Sequence, residues 1–209
     1  MSKQIIQGAI ATALGLFMAS PTLAAEAHNP RNVRFVMQTG LTYGGDQLAE
    51  AQYTNGGSTE TRAGSLVQLG AGVVYQPTSM PLALQLTMNY HIDNSVASNG
   101  DMSFKRIPIE ATLFYTGVEK WRFGLGARYV RSPSFSLDYR GTVDIDYEDT
   151  VGLLLEAGYK VSDNWWLSGR FVSEKFKPKM YKRDGREQRV QDAKEIDGTH
   201  GGLFVTGAF

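Results

Sequence analysis

Strict alternation of apolar and polar residues, repeated in eight separate segments, constrains this chain more than any other feature. The clearest segment covers residues 82–93. Leu82, Leu84, Leu86, Met88, Tyr90 and Ile92 take one parity, and Ala83, Gln85, Thr87, Asn89, His91 and Asp93 take the other. Period two is the signature of a strand with one apolar face. Seven further segments repeat it, at residues 33–43, 67–76, 106–115, 121–129, 151–160, 165–174 and 203–209, with Trp166 and Phe204 off the pattern. Each segment alone is weak evidence, but eight in succession predict an all-β chain.

The connections alternate in length. Residues 77–81, 116–120 and 162–164 are short links, whereas 46–62, 94–104, 131–149 and 175–197 are longer and more polar. Asn55-Gly56-Gly57 is a hairpin signal within the first long connection. Short turns at one end and long loops at the other predict an eight-stranded antiparallel up-and-down transmembrane β-barrel.

A soluble barrel would alternate too, with its apolar face inward. Three features favour a lipid-facing exterior. The polar parity is rich in small residues, such as Gly40, Gly70, Gly72, Gly124, Gly126, Gly152 and Gly158, which suit a narrow interior. Tyr75, Tyr115, Trp121, Tyr159 and Trp165 gather beside the short turns as one aromatic girdle, with Tyr43, Tyr90 and Tyr129 near the other end. The eight steps from Trp121 to Tyr129 span roughly 20 Å at a tilt near 40°, close to the apolar band of an outer membrane.

Residues 1–25 form an export signal. Lys3 supplies the positive start, an apolar stretch follows, and Pro21 precedes Thr22, Ala24 and Ala25. Cleavage is expected near Ala25, with Ala24 and Ala27 as alternatives, leaving 26–209 as the barrel. No later stretch has 18 consecutive apolar residues, so no spanning helix is expected. The absence of Cys excludes a disulfide scaffold and a Cys nucleophile. Balanced charge, 21 basic against 21 acidic residues, excludes a generally basic nucleic-acid binder. No phosphate-cradling loop, zinc helix or nucleophile elbow is present, and no cofactor or metal is expected.

With the signal peptide, RIPIEATLFY at 106–115, WRFGLGARYV at 121–130, VGLLLEAGYKVSDNWWLSGRF at 151–171 and the terminal Phe209, the chain resembles the eight-stranded outer-membrane barrels of Gram-negative bacteria, the OmpA-like and opacity-like "porin family" proteins. The resemblance implies a cell-outer-membrane location after export through the periplasm. It implies that Phe209, with Val205 and Leu203, is the signal read by the barrel-assembly machinery, although Gly207 departs from the pattern. It also implies that no periplasmic domain follows the last strand.

Eight strands leave room for side chains but not for a wide channel, so charges on the inward parity should pair. Counting from the short-turn end predicts a lumen network of Glu110, Glu156, Arg128 and Arg170, near Gln38. A gated ion path is the alternative. His91, Asp93, Arg106, Glu174 and His200 are expected to collect near the outer rim. Outer-membrane lipid A deacylases place a His, a Ser and an acid on such a barrel. Here Asp93 stands where their Ser would be, and Ser95 is expected in a loop, so the histidines are read as lumen fillers.

Loop 131–149 has two basic and five acidic residues, and loop 175–197 has eight basic and five acidic. The expectation is two ribbons lying side by side, with 134–148 a hairpin beyond the membrane. Two independently solvated loops are the alternative. The basic stretch 177–189 offers contacts to lipopolysaccharide phosphates. The favoured function is that of a monomeric, non-enzymatic barrel with a structural or surface-interaction role, surrounded by outer-membrane lipid and lipopolysaccharide. The alternatives are a narrow pore for small solutes and a lipid-modifying enzyme.

Overall fold

The computed structural model describes residues 32–52, 58–97, 100–138, 141–183, 186–190 and 193–209. The signal expected over residues 1–25 and the Asn55-Gly56-Gly57 turn lie outside the described residues. The described strands are, in chain order, β1 (Val33–Gly44), β2 (Gln47–Gln52), β3 (Ser58–Arg62), β4 (Leu66–Tyr75), β5 (Leu82–Ala97), β6 (Gly100–Val118), β7 (Trp121–Asp138), β8 (Thr142–Tyr147), β9 (Thr150–Ser162), β10 (Trp165–Ser173), β11 (Lys175–Phe176), β12 (Pro178–Arg183), β13 (Arg186–Arg189), β14 (Ile196–Asp197) and β15 (His200–Ala208).

Eight of them close a barrel in the order β1-β4-β5-β6-β7-β9-β10-β15, each antiparallel to the next, with β15 returning to β1. These eight are the segments marked by alternation. Closure is completed below β1 and β15 by reciprocal bonds. The Phe35 N–H donates to the Phe209 carbonyl and the Phe209 N–H donates to the Phe35 carbonyl, each at 2.9 Å. Register offsets accumulate to about ten residues around the circuit, which tilts the strands by roughly 40°.

The apolar parity faces outward. Leu125 is 63% exposed, Leu153 64% and Val151 68%, and they belong to an exposed apolar band carried by all eight barrel strands. Leu113, Leu125 and Leu155 lie side by side across three strands in its middle. In water such a band would drive aggregation, whereas in hydrocarbon it is the favourable face. The aromatic residues lie at the edges of this band. Tyr75, Tyr115, Trp121 and Tyr159 are exposed near the short turns, and Trp121 meets Tyr159 edge-on at 5.2 Å. Half-buried Trp165 packs edge-on against Phe209 at 5.5 Å.

Alternation continues above the membrane. Residues 94–97 and 100–104, expected within a loop, instead extend β5 and β6 as paired strands, and Ser95 is a strand residue opposite Met102. The reason is visible in Met102 and Phe104, which keep the inward parity and are buried. Likewise β7 runs on to Asp138, pairs with β8, and β8 pairs with β12, so the acidic and basic loops form one ribbon, β7-β8-β12-β13. Lys182 reaches Asp146 at 3.1 Å across it. Bonding to Asp146 and then Glu187 raises the Lys182 ammonium above its usual range. The inner face of the ribbon packs Phe135 and Tyr147 against Phe104, Phe176 and Ala63, with Leu48 and Ile196 at the margin.

Leu125→Arg places a cation in the middle of the lipid-facing band. It is expected to cost roughly 2–4 kcal/mol of folding free energy in a bilayer. Urea titration of the protein refolded into vesicles measures the change, and an unaltered midpoint would contradict the assignment of this face.

Candidate functional site

The inward parity builds a side-chain column inside the barrel. At the short-turn end Val36, Val74, Ala83, Phe114 and Ala208 form a small apolar layer with Trp166 packed against it. Trp166 falls off the sequence pattern because it is an inward residue filling this end. A β-bulge beside it resets the register with β9. The Arg122 guanidinium lies over Phe114 at 4.4 Å and over Trp166 at 5.0 Å.

Above this layer the four predicted lumen charges meet. Arg170 donates to Glu156 at 2.6 Å and to Glu110 at 3.0 Å, and Arg128 donates to Glu110 at 3.0 Å. Gln38 accepts from Arg170 at 3.1 Å and donates to Asn89 at 2.6 Å. The Arg170 guanidinium also rests on the Phe204 ring at 3.9 Å. Phe204 is thus inward, and Gly40 makes room for it, since a Cβ there would stand 2.4 Å from the ring. Gly70 makes similar room for Asn89, whose Oδ1 would lie 1.8 Å from an added Cβ.

The outer-rim residues continue this column. Arg128 reaches up to Glu174 at 3.0 Å, Arg106 lies 3.8 Å from Glu174, and His200 3.7 Å from it. The His91 Nδ1 accepts from Arg106 at 2.8 Å and from Arg128 at 3.2 Å. Its Nε2 therefore carries the proton and lies 3.2 Å from the Ser65 carbonyl and 2.9 Å from the Thr42 hydroxyl. His200 stands edge-on to His91 at 5.3 Å and donates from Nδ1 to the Gly198 carbonyl at 2.7 Å. Asp93 is the exception. It is held by a different bond, accepting from the Arg62 backbone N–H at 2.9 Å, and its charge acts on Arg106. Among the described residues, no serine or cysteine side chain bonds to either histidine.

Two clusters kept separate in the sequence are therefore one network, joined by Arg128 and Glu174. Sequence reasoning left several members out, among them Arg122, Gln68 and Asn89. Arg122 donates to Glu156 at 2.8 Å, and Gln68 donates to Glu110 and accepts from Arg128, each at 3.0 Å. Asn89 is the third. All three alternate with apolar neighbours in the sequence, so their inward direction was legible, but their height was not. Four acids, Asp93, Glu110, Glu156 and Glu174, and four arginines, Arg106, Arg122, Arg128 and Arg170, are buried among the described residues. The interior charge therefore cancels, as a low-dielectric site demands.

The top is closed by the apolar layer beneath the ribbon. The Arg106 guanidinium lies 4.9 Å from the Phe104 ring centre and 5.6 Å from that of Phe176. Outside the barrel, Asp149 accepts from the Tyr129 hydroxyl at 2.5 Å and from the Ser132 N–H at 2.9 Å. These two bonds hold its carboxyl below the usual range.

Glu110→Gln removes the carboxylate shared by Arg128 and Arg170. Leaving two buried cations short of charge is expected to cost about 3–5 kcal/mol. Asp146→Asn at the partly exposed Lys182 pair is expected to cost under about 1 kcal/mol. Equilibrium unfolding of both variants in lipid tests the contrast, and equal effects would mean the lumen network contributes no more than a surface pair.

No protein-family model matches this chain, and no curated protein does. Among solved structures, a major outer membrane protein from Thermus thermophilus aligns over 86% of this chain and 100% of its own, with a TM-score of 0.52 and 11% identity. Neisserial surface protein A covers 86% of this chain and 98% of its own, with a TM-score of 0.48 and 15% identity. CarO of Acinetobacter baumannii covers 83% and 97%, with a TM-score of 0.47 and 11% identity. The closed circuit, the exposed apolar band and the Thermus likeness agree: this chain has the fold of the small eight-stranded outer-membrane β-barrels.

Proposed function

We propose that this protein is a closed, non-conducting and non-catalytic barrel of the outer membrane, with a structural or surface-interaction role exerted through its extracellular ribbon and loops. The observation that carries this reading is the continuous Arg–Glu column from Arg122 to Arg106, sealed by aromatic layers at both ends. A solute path would have to break several charge-assisted bonds at once, in a lumen too narrow to replace them with water.

The histidines favour the same reading. His91 is saturated by two arginines and already carries its proton on the side facing Thr42, so it cannot take a proton from that hydroxyl. The exposed ribbon carries the basic residues Lys177, Lys179 and Arg186 outward, where lipopolysaccharide phosphates are the nearest anions.

Conductance of the refolded protein in a planar lipid bilayer tests the reading. The native protein is expected to be silent. Replacing Glu110, Arg128, Glu156 and Arg170 together with serine is expected to give unitary steps that grow with salt concentration. Steady steps from the native protein would overturn the closed-barrel reading in favour of a narrow pore.

A further inference from the structure

A cleft of about 400 Å³ opens at the extracellular end, above the layer that caps the lumen. It lies between three connections: the start of β2, the β7–β8 ribbon and the segment entering β14. Leu48, Phe135, Ile145, Tyr147 and Ile196 supply the apolar part of its lining, and Asp46, Gln47, Lys194 and Glu195 the polar part. Its volume falls in the range of small-molecule sites.

One polar group inside this lining has no internal role. Tyr147 is 4% exposed, yet its hydroxyl has no hydrogen-bond partner among the described residues. The oxygen borders the cleft, where it is free to donate to a bound molecule. The ring itself is held edge-on by Phe104 at 5.6 Å and by Phe176 at 6.2 Å, so the hydroxyl is pre-positioned. Burial pushes this phenol up to about 12, which keeps it a donor throughout the physiological range.

The charged part of the lining is close to neutral. Glu195 faces Lys175 at 3.8 Å, leaving the Asp46 carboxylate and the Lys194 ammonium as opposite charges. A ligand with a net charge would gain attraction from one and repulsion from the other. From the apolar side of the lining, the phenol free to donate and the balanced charge of the polar side, we infer that this cleft is a binding site for a small uncharged molecule with an apolar body. Its body lies against Phe135, Ile145 and Ile196, and its single acceptor oxygen takes the Tyr147 hydroxyl proton in a hydrogen bond. The site is reached from outside the cell and needs no passage through the lumen, so it stands whether or not the barrel conducts.

Benzyl alcohol is a suitable probe, with benzoate and benzylammonium as charged analogues of the same size. The full barrel, isotopically labelled and refolded in lipid nanodiscs, is titrated while its amide NMR signals are followed. Saturable shifts are expected at Phe135, Ile145, Tyr147 and Ile196. Tyr147→Phe, which keeps the ring packing, is expected to weaken binding about five- to tenfold. Ile196→Trp, which fills the cleft, is expected to abolish the saturable shifts. Both charged analogues are expected to bind at least about fivefold more weakly. Heat-modifiable gel migration verifies that each variant is folded. Non-saturating shifts confined to lipid-facing positions such as Leu125 and Leu153 would overturn the proposal. So would an unchanged affinity in Tyr147→Phe, unchanged shifts in Ile196→Trp, or tighter binding of either charged analogue.

Discussion

Closure of the first barrel strand onto the last is the constraint on which everything else depends. In hydrocarbon no water is available for an open strand edge, so each unpaired N–H or carbonyl would cost several kcal/mol. The reciprocal Phe35–Phe209 bonds and the β1–β15 ladder remove the edge. Once eight strands must close with a stagger of about ten, the radius is set and the interior is only wide enough for side chains. The lipid-facing band and the packed lumen are both consequences of that geometry.

Closure also explains the composition of the lumen. A narrow column cannot hydrate an isolated charge, so each arginine is placed within reach of a carboxylate and the formal charges cancel. Replacing such a network by apolar side chains would often stabilise a soluble protein. Here the outside is already apolar, and a polar inward parity tells each strand which face belongs to lipid. A one-residue slip would put Arg128 or Glu110 into hydrocarbon, so the buried charges enforce register as well as filling space.

The same alternation has a different effect above the membrane. Along β6 the inward parity becomes apolar at Phe104; in β7 a bulge after Arg131 shifts the parity by one, so that Phe135, with Tyr147 of β8, also faces inward, while Lys105, Ser136 and Asp144 lie on the outward face. Water now lies outside, so the strands reverse their preference without leaving the sheet. The result is a small conventional core over the barrel mouth. That core covers the mouth of the lumen and packs the paired ribbon strands and Tyr147 against the barrel.

Much of this was determined by the sequence alone, because period two survives in any strand whatever its partners. The eight barrel segments, the face taken by most of their side chains, the girdle from Tyr75 to Trp165 and the inward Glu110, Glu156, Arg128 and Arg170 were legible. Residues 94–104 were misread as a loop because the solvent reverses there and polar residues appear on the outer parity. Trp166 and Phe204 looked irregular because large inward residues break the polar stripe while filling the ends of the column. Height was decided only by the tertiary structure. Strand stagger comes from pairing around a closed circuit, and no single strand carries it. Only that stagger brings Arg128 to both Glu110 and Glu174 and joins two apparent clusters into one network.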